Sequence, residues 1–249
     1  MSEVRLELAG NVATITLAAP ERRNALTPEM ARELVEVCEA VDSNPAVGAV
    51  VICGEGKGFC SGAHRATLAA AATDPVDDAR YKELLSVYQA FARVGQLQAP
   101  TIAAVRGAAV GAGVNLLLAT DLRIVAEDAR ILAGFLQLGL HPGGGHFTLA
   151  GRLAGREAVA ALGVFGEEID GRRAAALGLA WEALPTDAVE PRAHELAQRA
   201  AHDPELARAV VKMMRLELGP PAVSWPVALE AETAAQLWSL RRALAAGRL

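Results

Sequence analysis

A glycine-rich turn in the middle of the chain has the residue types that point most directly to chemistry. The apolar run from Thr101 to Val105 predicts a strand, and residues 114–118 predict a helix. Gly107, Gly111 and Gly113 lie between them. Glycine lets the backbone approach a ligand closely, and the N–H groups at a helix start attract negative oxygen. We therefore expect this turn to face an anion or an oxygen on which negative charge develops.

Histidines on predicted loops could exchange protons with such a ligand. His141 stands directly before Pro142 in a glycine-rich loop, and His146 begins the helix that follows. His64 follows a second glycine turn, at Gly62. An unperturbed histidine has a pKa of about 6.5, so it can accept and donate a proton near neutrality. Each of these three histidines could act as an acid or a base; the alternative is that each is a polar loop residue.

The predicted elements that position these loops alternate between strand and helix. Residues 4–8 and 12–17 predict a hairpin. Thr27 before Pro28 predicts the start of a helix. Residues 66–78, alanine-rich and then acidic, predict a mobile loop. Alternating strands and helices favour an α/β fold.

The last part of the chain has a different pattern, because it predicts helices alone. They cover roughly residues 187–202, 204–218 and 223–245. We therefore divide the chain into an α/β core at residues 1–185 and a helical region at residues 186–249. We expect the helical region to act as a cap or as an oligomerisation element.

Composition limits the classes of function. The 249 residues are 52% hydrophobic with a net charge of −5, which favours neither nucleic acid nor an anionic membrane surface as a partner. No apolar run reaches the roughly 18–20 residues of a membrane span, and the first residues lack the apolar region of a signal peptide. Cys38, Cys53 and Cys60 have no metal-site spacing, so we expect reduced thiols, no metal and a cytoplasmic protein.

Two other families share single features with this chain. The spacing of the three central glycines also fits a dinucleotide-binding turn of the short-chain dehydrogenase type. That motif needs an N-terminal βαβ unit and a Tyr-x-x-x-Lys sequence, and neither tyrosine here has a lysine four residues later. Ser61 is not in a hydrolase nucleophile elbow, because Phe59 stands at the first glycine position. Both interpretations are therefore disfavoured.

Four short motifs in order carry a resemblance to one family. They are RRNAL at residues 22–26, GFCSGA at residues 58–63, APTIAAV at residues 99–105, and GAG followed by DLR within residues 111–123. Together they resemble the enoyl-CoA hydratase/isomerase (crotonase) superfamily from about residue 5 to residue 185. The resemblance implies a ββα spiral core, a C-terminal helical region, and homotrimers or dimers of trimers.

The resemblance also implies an acyl-CoA thioester as substrate, with coenzyme A as part of that substrate and no separate cofactor. It places an oxyanion hole on two backbone N–H groups, which here belong to Ala63 and Ala112. Two donors aimed at the thioester oxygen would stabilise an enolate-like state. One such donor typically contributes roughly 10²–10³ in rate.

Further residues are placed around the acyl-CoA by the same motifs and loops. Arg22 and Arg23 could meet the phosphates of coenzyme A, or they could form a solvated surface pair. The other residues that we expect to bind substrate are Ala25, Ser61, Gly62, His64, Gly111, Gly113, Phe135, Pro142 and Gly143.

Two positions depart from the pattern of the family's hydratases, which use a pair of glutamates to add water. The corresponding residues here are Asn115 and Phe135, and neither can transfer a proton. Asn115 could still orient a water or a carbonyl. The sequence therefore leaves two hypotheses. The first is an acyl-CoA-transforming enzyme with His141 or His146 as acid/base, and the second is a non-catalytic acyl-CoA-binding protein.

Overall fold

The computed structural model describes residues 2–73, 77–219 and 221–245. The strands are β1 (Val4–Ala9), β2 (Val12–Leu17), β3 (Ala49–Gly54), β4 (Gly58–Cys60), β5 (Thr101–Val105), β6 (Ala108–Val110), β7 (Leu122–Ala126), β8 (Arg130–Leu132), β9 (Glu168–Ile169) and β10 (Glu182–Leu184). The helices are α1 (Pro28–Ser43), α2 (Arg65–Thr73), α3 (Asp78–Gly95), α4 (Ala112–Leu118), α5 (His146–Gly163), α6 (Gly171–Ala176), α7 (Val189–Ala200), α8 (Pro204–Leu218) and α9 (Trp225–Ala245). The α/β prediction is confirmed.

A large sheet forms the base of the molecule, in the strand order β1-β2-β3-β5-β7-β10. The predicted hairpin is confirmed, since β1 and β2 pair antiparallel from Val4–Leu17 to Ala9–Val12. From β2 onward the strands run parallel. β3 and β5 are buried along their whole length, as continuous apolar runs in a parallel sheet should be.

A second, smaller sheet has the order β4-β6-β8-β9. Its first three strands are parallel, and β9 joins β8 antiparallel. Each of these three strands follows a strand of the large sheet, so that β3 leads to β4, β5 to β6, and β7 to β8. A helical segment comes after each pair, which makes the core a succession of ββα units.

Helix α7 packs across β3, β5 and β7 of the large sheet. Its residues Val189, Ala193 and Ala197 are fully buried and recur every four residues, so they form one face. Alanines on that face let the helix approach the strands closely. The division after residue 185 marks the change from alternating strands and helices to helices alone. Helix α7 lies after that division and is still part of the packed core.

Helix α8 is tied to the core by arginines, and α9 packs against α8. The Arg208 guanidinium donates to the carbonyl oxygens of Asn44 at 2.7 Å and Val47 at 2.9 Å, just after α1. Several large apolar side chains of α9, including Trp225 and Leu237, are exposed.

The prediction of a loop over residues 66–78 is wrong in its first part. Residues 65–73 form α2, because a run of alanines has high intrinsic helix propensity. Residues 74–76 of the predicted loop lie outside the described residues. Asp77 then caps α3 by accepting a hydrogen bond from the Arg80 N–H at 2.9 Å.

Candidate active site

Three parallel strands deliver the predicted site residues to one edge of the small sheet. β4 ends at Cys60 and is followed by Ser61 to Ala63, while β6 ends at Val110 and is followed by Gly111 and Ala112. β8 ends three residues before Phe135. Since neighbouring parallel strands end at the same edge, the three turns are adjacent there, where ligands commonly bind in α/β sheets.

The turns after β4 and β6 touch each other through glycines. Gly62 has a φ of +93°, and a Cβ added there would lie 2.6 Å from the Val110 carbonyl oxygen and 3.4 Å from the Ala112 nitrogen. A Cβ at Gly113 would lie 2.2 Å from the Cys60 carbonyl oxygen. Any side chain at these two positions would separate the turns. The glycines therefore bring Ala63 and Ala112 close together.

The N–H groups of Ala63 and Ala112 are left without backbone partners by this geometry. In the bridge between Leu26 and Ala63, the Leu26 N–H donates to Gly62 at 2.8 Å and the His64 N–H donates to Leu26 at 2.9 Å. Ala112 is the first residue of α4, where no intrahelical acceptor exists. Neither N–H donates a backbone hydrogen bond within the described residues. This arrangement fits the predicted oxyanion hole.

Asn24 holds the turn after β4 in place, a role that its position in the RRNAL motif did not reveal. The residue is fully buried with a left-handed φ of 55°. Its Nδ2 donates to the carbonyl oxygens of Gly58 at 3.0 Å and Phe59 at 3.1 Å. Its Oδ1 accepts from the Ala19 N–H at 2.9 Å. An asparagine in the αL conformation beside glycine turns is the local signal that could have identified it.

The two arginines proposed for the phosphates of coenzyme A differ in their surroundings. Arg22 forms a close ion pair with Glu3 and donates from Nε to the buried Ala25 carbonyl at 3.2 Å. Arg23 is exposed, and its carbonyl accepts from the Ser61 N–H at 3.0 Å. Arg22 therefore has a structural partner already, while Arg23 keeps part of its surface open to solvent near the site.

Asn115 and His146 form a buried pair beside Ala112. Asn115 lies three residues after Ala112, hence on the same face of α4. Its Oδ1 is 2.8 Å from His146 Nδ1, and its Nδ2 donates to the Gly143 carbonyl at 3.0 Å. The exposed fractions are 1% for Asn115 and 2% for His146. The fold therefore joins two of the predicted catalytic positions.

Aromatic rings surround His146. The Phe135 ring packs edge-on with its centroid 5.2 Å from the His146 centroid, and the Phe147 ring lies at 6.0 Å. Burial lowers the pKa of His146, because the charged imidazolium would lose its hydration. The ring is therefore neutral at pH 7. His146 Nε2 is buried and has no hydrogen-bond partner among the described residues.

The other two predicted histidines lie closer to solvent. His141 is exposed, with Nδ1 2.6 Å from the carbonyl oxygen of Pro142. His64 is partly exposed beside Ala63. Among the three predicted histidines, only His146 forms a hydrogen bond with Asn115 in the described structure.

Tyr88 of α3 is a further residue at this site, which the sequence analysis did not identify. A Cβ at Gly143 would lie 2.3 Å from the Tyr88 hydroxyl, so the ring reaches the loop before His146. Gly144 likewise lies against the side chains of Phe91 and Asn115, so that a Cβ there would be too close to both. Burial raises the pKa of Tyr88. The loop is thus packed between α3 and α4, which explains its need for small residues.

The described part of the chain contains no helix that is long and apolar enough to cross a membrane. Over the same residues, no group of three or more His, Cys, Asp or Glu side chains could hold a metal ion.

The chain is similar to known proteins over most of its length. The sequence model of the enoyl-CoA hydratase/isomerase family matches residues 7–233. The chain is 39% identical over 238 residues to the "Probable enoyl-CoA hydratase EchA14" of Mycobacterium tuberculosis, covering 89% of this chain and 91% of that protein. It is 30% identical to the 1,2-epoxyphenylacetyl-CoA isomerase of Escherichia coli, covering 81% and 77%.

A solved structure shows the same fold over nearly the whole chain. The crystal structure of an enoyl-CoA hydratase from Polaromonas sp. JS666 superposes with a TM-score of 0.87 and 26% identity, covering 98% of this chain and 97% of the other. This structural match and the family match agree with the family resemblance that the four sequence motifs indicated. The chain belongs to the enoyl-CoA hydratase/isomerase family of the crotonase superfamily.

Proposed function

We propose that this protein transforms acyl-CoA thioesters by stabilising the thioester enolate between the N–H groups of Ala63 and Ala112. The observation that carries the proposal is the contact between the two glycine turns, which leaves both donors free side by side. Donors held in place before the reaction stabilise developing negative charge without reorganisation. The names of the relatives, a hydratase and an isomerase of CoA thioesters, support the same substrate class.

A histidine in the segment after β8 supplies the proton transfer in this proposal, since Asn115 and Phe135 cannot. His146 and His141 are the two candidates. A positioned acid or base typically contributes about 10²–10⁴ in rate. Coenzyme A enters as part of the substrate, with the exposed Arg23 available to its phosphates.

The alternative proposal is a protein that binds acyl-CoA without transforming it. The residues that favour it are again Asn115 and Phe135, because an amide and a phenyl ring stand where the family's hydratases carry carboxylates. The oxyanion hole would then hold a thioester carbonyl as a binding contact.

Purified protein incubated with crotonyl-CoA, with longer enoyl-CoAs and with their β,γ-unsaturated isomers distinguishes the two. Calorimetry reports binding, and the absorbance of the conjugated enoyl group reports turnover. We expect binding, with conversion of at least one acyl-CoA and loss of that conversion in His146→Gln. Binding of every acyl-CoA tested with no conversion would favour the alternative, and no binding would refute both.

We also propose a cytoplasmic homotrimer or dimer of trimers. The exposed apolar residues of α9 and the three buried free cysteines support this proposal. Sedimentation should then give a mass of three or six chains of 25.9 kDa.

A further inference from the structure

We propose that Asn115 positions His146 so that its Nε2 accepts a proton from the substrate, which gives this site proton-transfer chemistry in place of water addition. This inference rests on the proposed function and adds to it the base, its reacting atom and the residue that orients it. Asn115 acts through His146 and is therefore a positioning residue.

The first step of the argument is the orientation of the Asn115 amide. Its Nδ2 lies 3.0 Å from the Gly143 carbonyl oxygen, which can only accept a hydrogen bond. The amide nitrogen must therefore point to Gly143, and Oδ1 must point to His146. Oδ1 can only accept, so His146 Nδ1, at 2.8 Å, must carry the proton.

The second step follows for the other ring nitrogen. A neutral imidazole has one N–H and one lone pair, so a proton on Nδ1 leaves the lone pair on Nε2. Nε2 is buried and without a hydrogen-bond partner among the described residues, whereas buried polar atoms in folded proteins are nearly always paired. A buried nitrogen without a hydrogen-bond partner lowers the stability of the folded protein, unless a bound ligand interacts with it. A C–H proton is one group that a buried lone pair can take.

The surroundings of the ring favour proton transfer over hydration. Phe135 and Phe147 pack against it, and they offer no group that could hold a water for attack. Two titratable groups contact the neighbours of the pair: Tyr88, which touches Gly143 from α3, and His141, whose ring packs on Phe147. Neither group carries a negative charge.

The reaction step balances without a co-reactant. Nε2 forms a bond to a proton of the carbon next to the thioester carbonyl, and the C–H bond breaks. Its electron pair moves towards the carbonyl oxygen, where the N–H groups of Ala63 and Ala112 stabilise the enolate. The imidazolium then returns the proton to the same carbon or, in a β,γ-unsaturated thioester, to the γ-carbon. The second outcome moves the double bond into conjugation.

The experiment has two readouts. The ring-nitrogen NMR spectrum of His146 in the wild-type protein reports the tautomer directly and needs no variant. We expect a protonated Nδ1 and an unprotonated Nε2 at pH 7, and a mixture of tautomers in Asn115→Leu. The second readout is exchange of the α-protons of butyryl-CoA in D₂O, followed by mass spectrometry.

We expect wild-type protein to exchange these protons and His146→Gln to slow the exchange by about 10²–10⁴-fold. Asn115→Leu should slow it by about 10-fold, the scale of one hydrogen bond, with an unchanged Kd for butyryl-CoA. His202→Gln is the matched control, because His202 is an exposed histidine between α7 and α8, and it should exchange at the wild-type rate.

A proton on Nε2 in the wild-type spectrum would overturn the positioning role, and exchange in His146→Gln at the wild-type rate would overturn the assignment of the base. Binding of butyryl-CoA without exchange in the wild-type protein would overturn the proton transfer itself. These outcomes differ from failure of the proposed function, which would appear as no binding of butyryl-CoA at all.

Discussion

His146 makes the stability of this protein depend on pH in a range where carboxylates do not titrate. Burial lowers its pKa in the folded state. In the unfolded chain the same side chain has its ordinary pKa of about 6.5. Below that pH the unfolded state binds a proton that the folded state does not, so the free energy of unfolding falls as the pH falls. Above it, both states are neutral and His146 contributes no pH dependence.

We therefore expect the thermal unfolding midpoint of the wild-type protein to fall between pH 7 and pH 5, and His146→Gln to reduce that slope. Calorimetric scans at several pH values measure it, with His202→Gln as the exposed control. Carboxylates such as Glu182, whose pKa is lowered by its hydrogen bond to Arg192, lose their contribution only below the ordinary glutamate pKa of about 4.3. Equal slopes for wild type and His146→Gln would contradict the assignment.

At the scale of elements, the site depends on how closely α4 begins beside the end of β4. A Cβ at Gly113 would lie 2.2 Å from the Cys60 carbonyl oxygen, so Gly113→Ala must push the first turn of α4 away. The Ala112 N–H would then leave its place beside Ala63. Losing one oxyanion donor typically costs roughly 10²–10³ in rate.

We expect Gly113→Ala to slow α-proton exchange of butyryl-CoA by that factor at a temperature where the variant is folded. Gly151→Ala in α5 is the control, because a Cβ there would lie 3.6 Å from Val159 Cγ2, an ordinary contact. Exchange in Gly113→Ala at the rate of Gly151→Ala would show that the α4 start does not carry the second donor.

For the whole molecule, an ion pair connects the helical region to the core. The Arg215 guanidinium of α8 bonds Asp121 twice, from Nε at 2.8 Å and from Nη2 at 2.5 Å, and also bonds the Leu97 carbonyl. Asp121 in turn accepts from the N–H of Thr101 at the start of β5, at 2.8 Å. Both partners are largely buried, with 25% and 15% of their side chains exposed.

Arg215→Ala leaves the Asp121 carboxylate with one partner fewer in a partly buried place. We expect it to lower the free energy of unfolding by about 2 kcal/mol, the usual scale for hydrogen bonds to charged groups. For a chain of this size that is a fall of roughly 4–8 °C in Tm, measured by calorimetry. Arg32→Ala, which removes an exposed pair with Glu29, should change stability by less than about 0.5 kcal/mol. Equal midpoints for the two variants would show that the ion pair between Arg215 and Asp121 does not stabilise the fold.

Sequence alone determined the features that local rules control. The alternation on both sides of Gly10 predicted the first hairpin, and Thr27 with Pro28 predicted the start of α1, where the Thr27 hydroxyl caps the helix at 3.1 Å. Cap, turn and strand patterns depend on residues within a few positions of one another. The glycine turn before α4 was predictable for the same reason, because the free N–H groups at a helix start depend only on neighbouring residues.

Tertiary structure decided which residues meet. His141 and His146 were alternative candidates in the sequence, and only packing of the α5 start against α4 brought His146 to Asn115, 31 residues away. The contact of Tyr88 with Gly143 arises in the same way. The wrong loop prediction at α2 has a different cause. There the helix propensity of the alanines, which is a local property, outweighed the pattern that had suggested a loop. Contacts between distant residues form only when both sheets are assembled, so no local pattern encodes which of several similar side chains becomes buried.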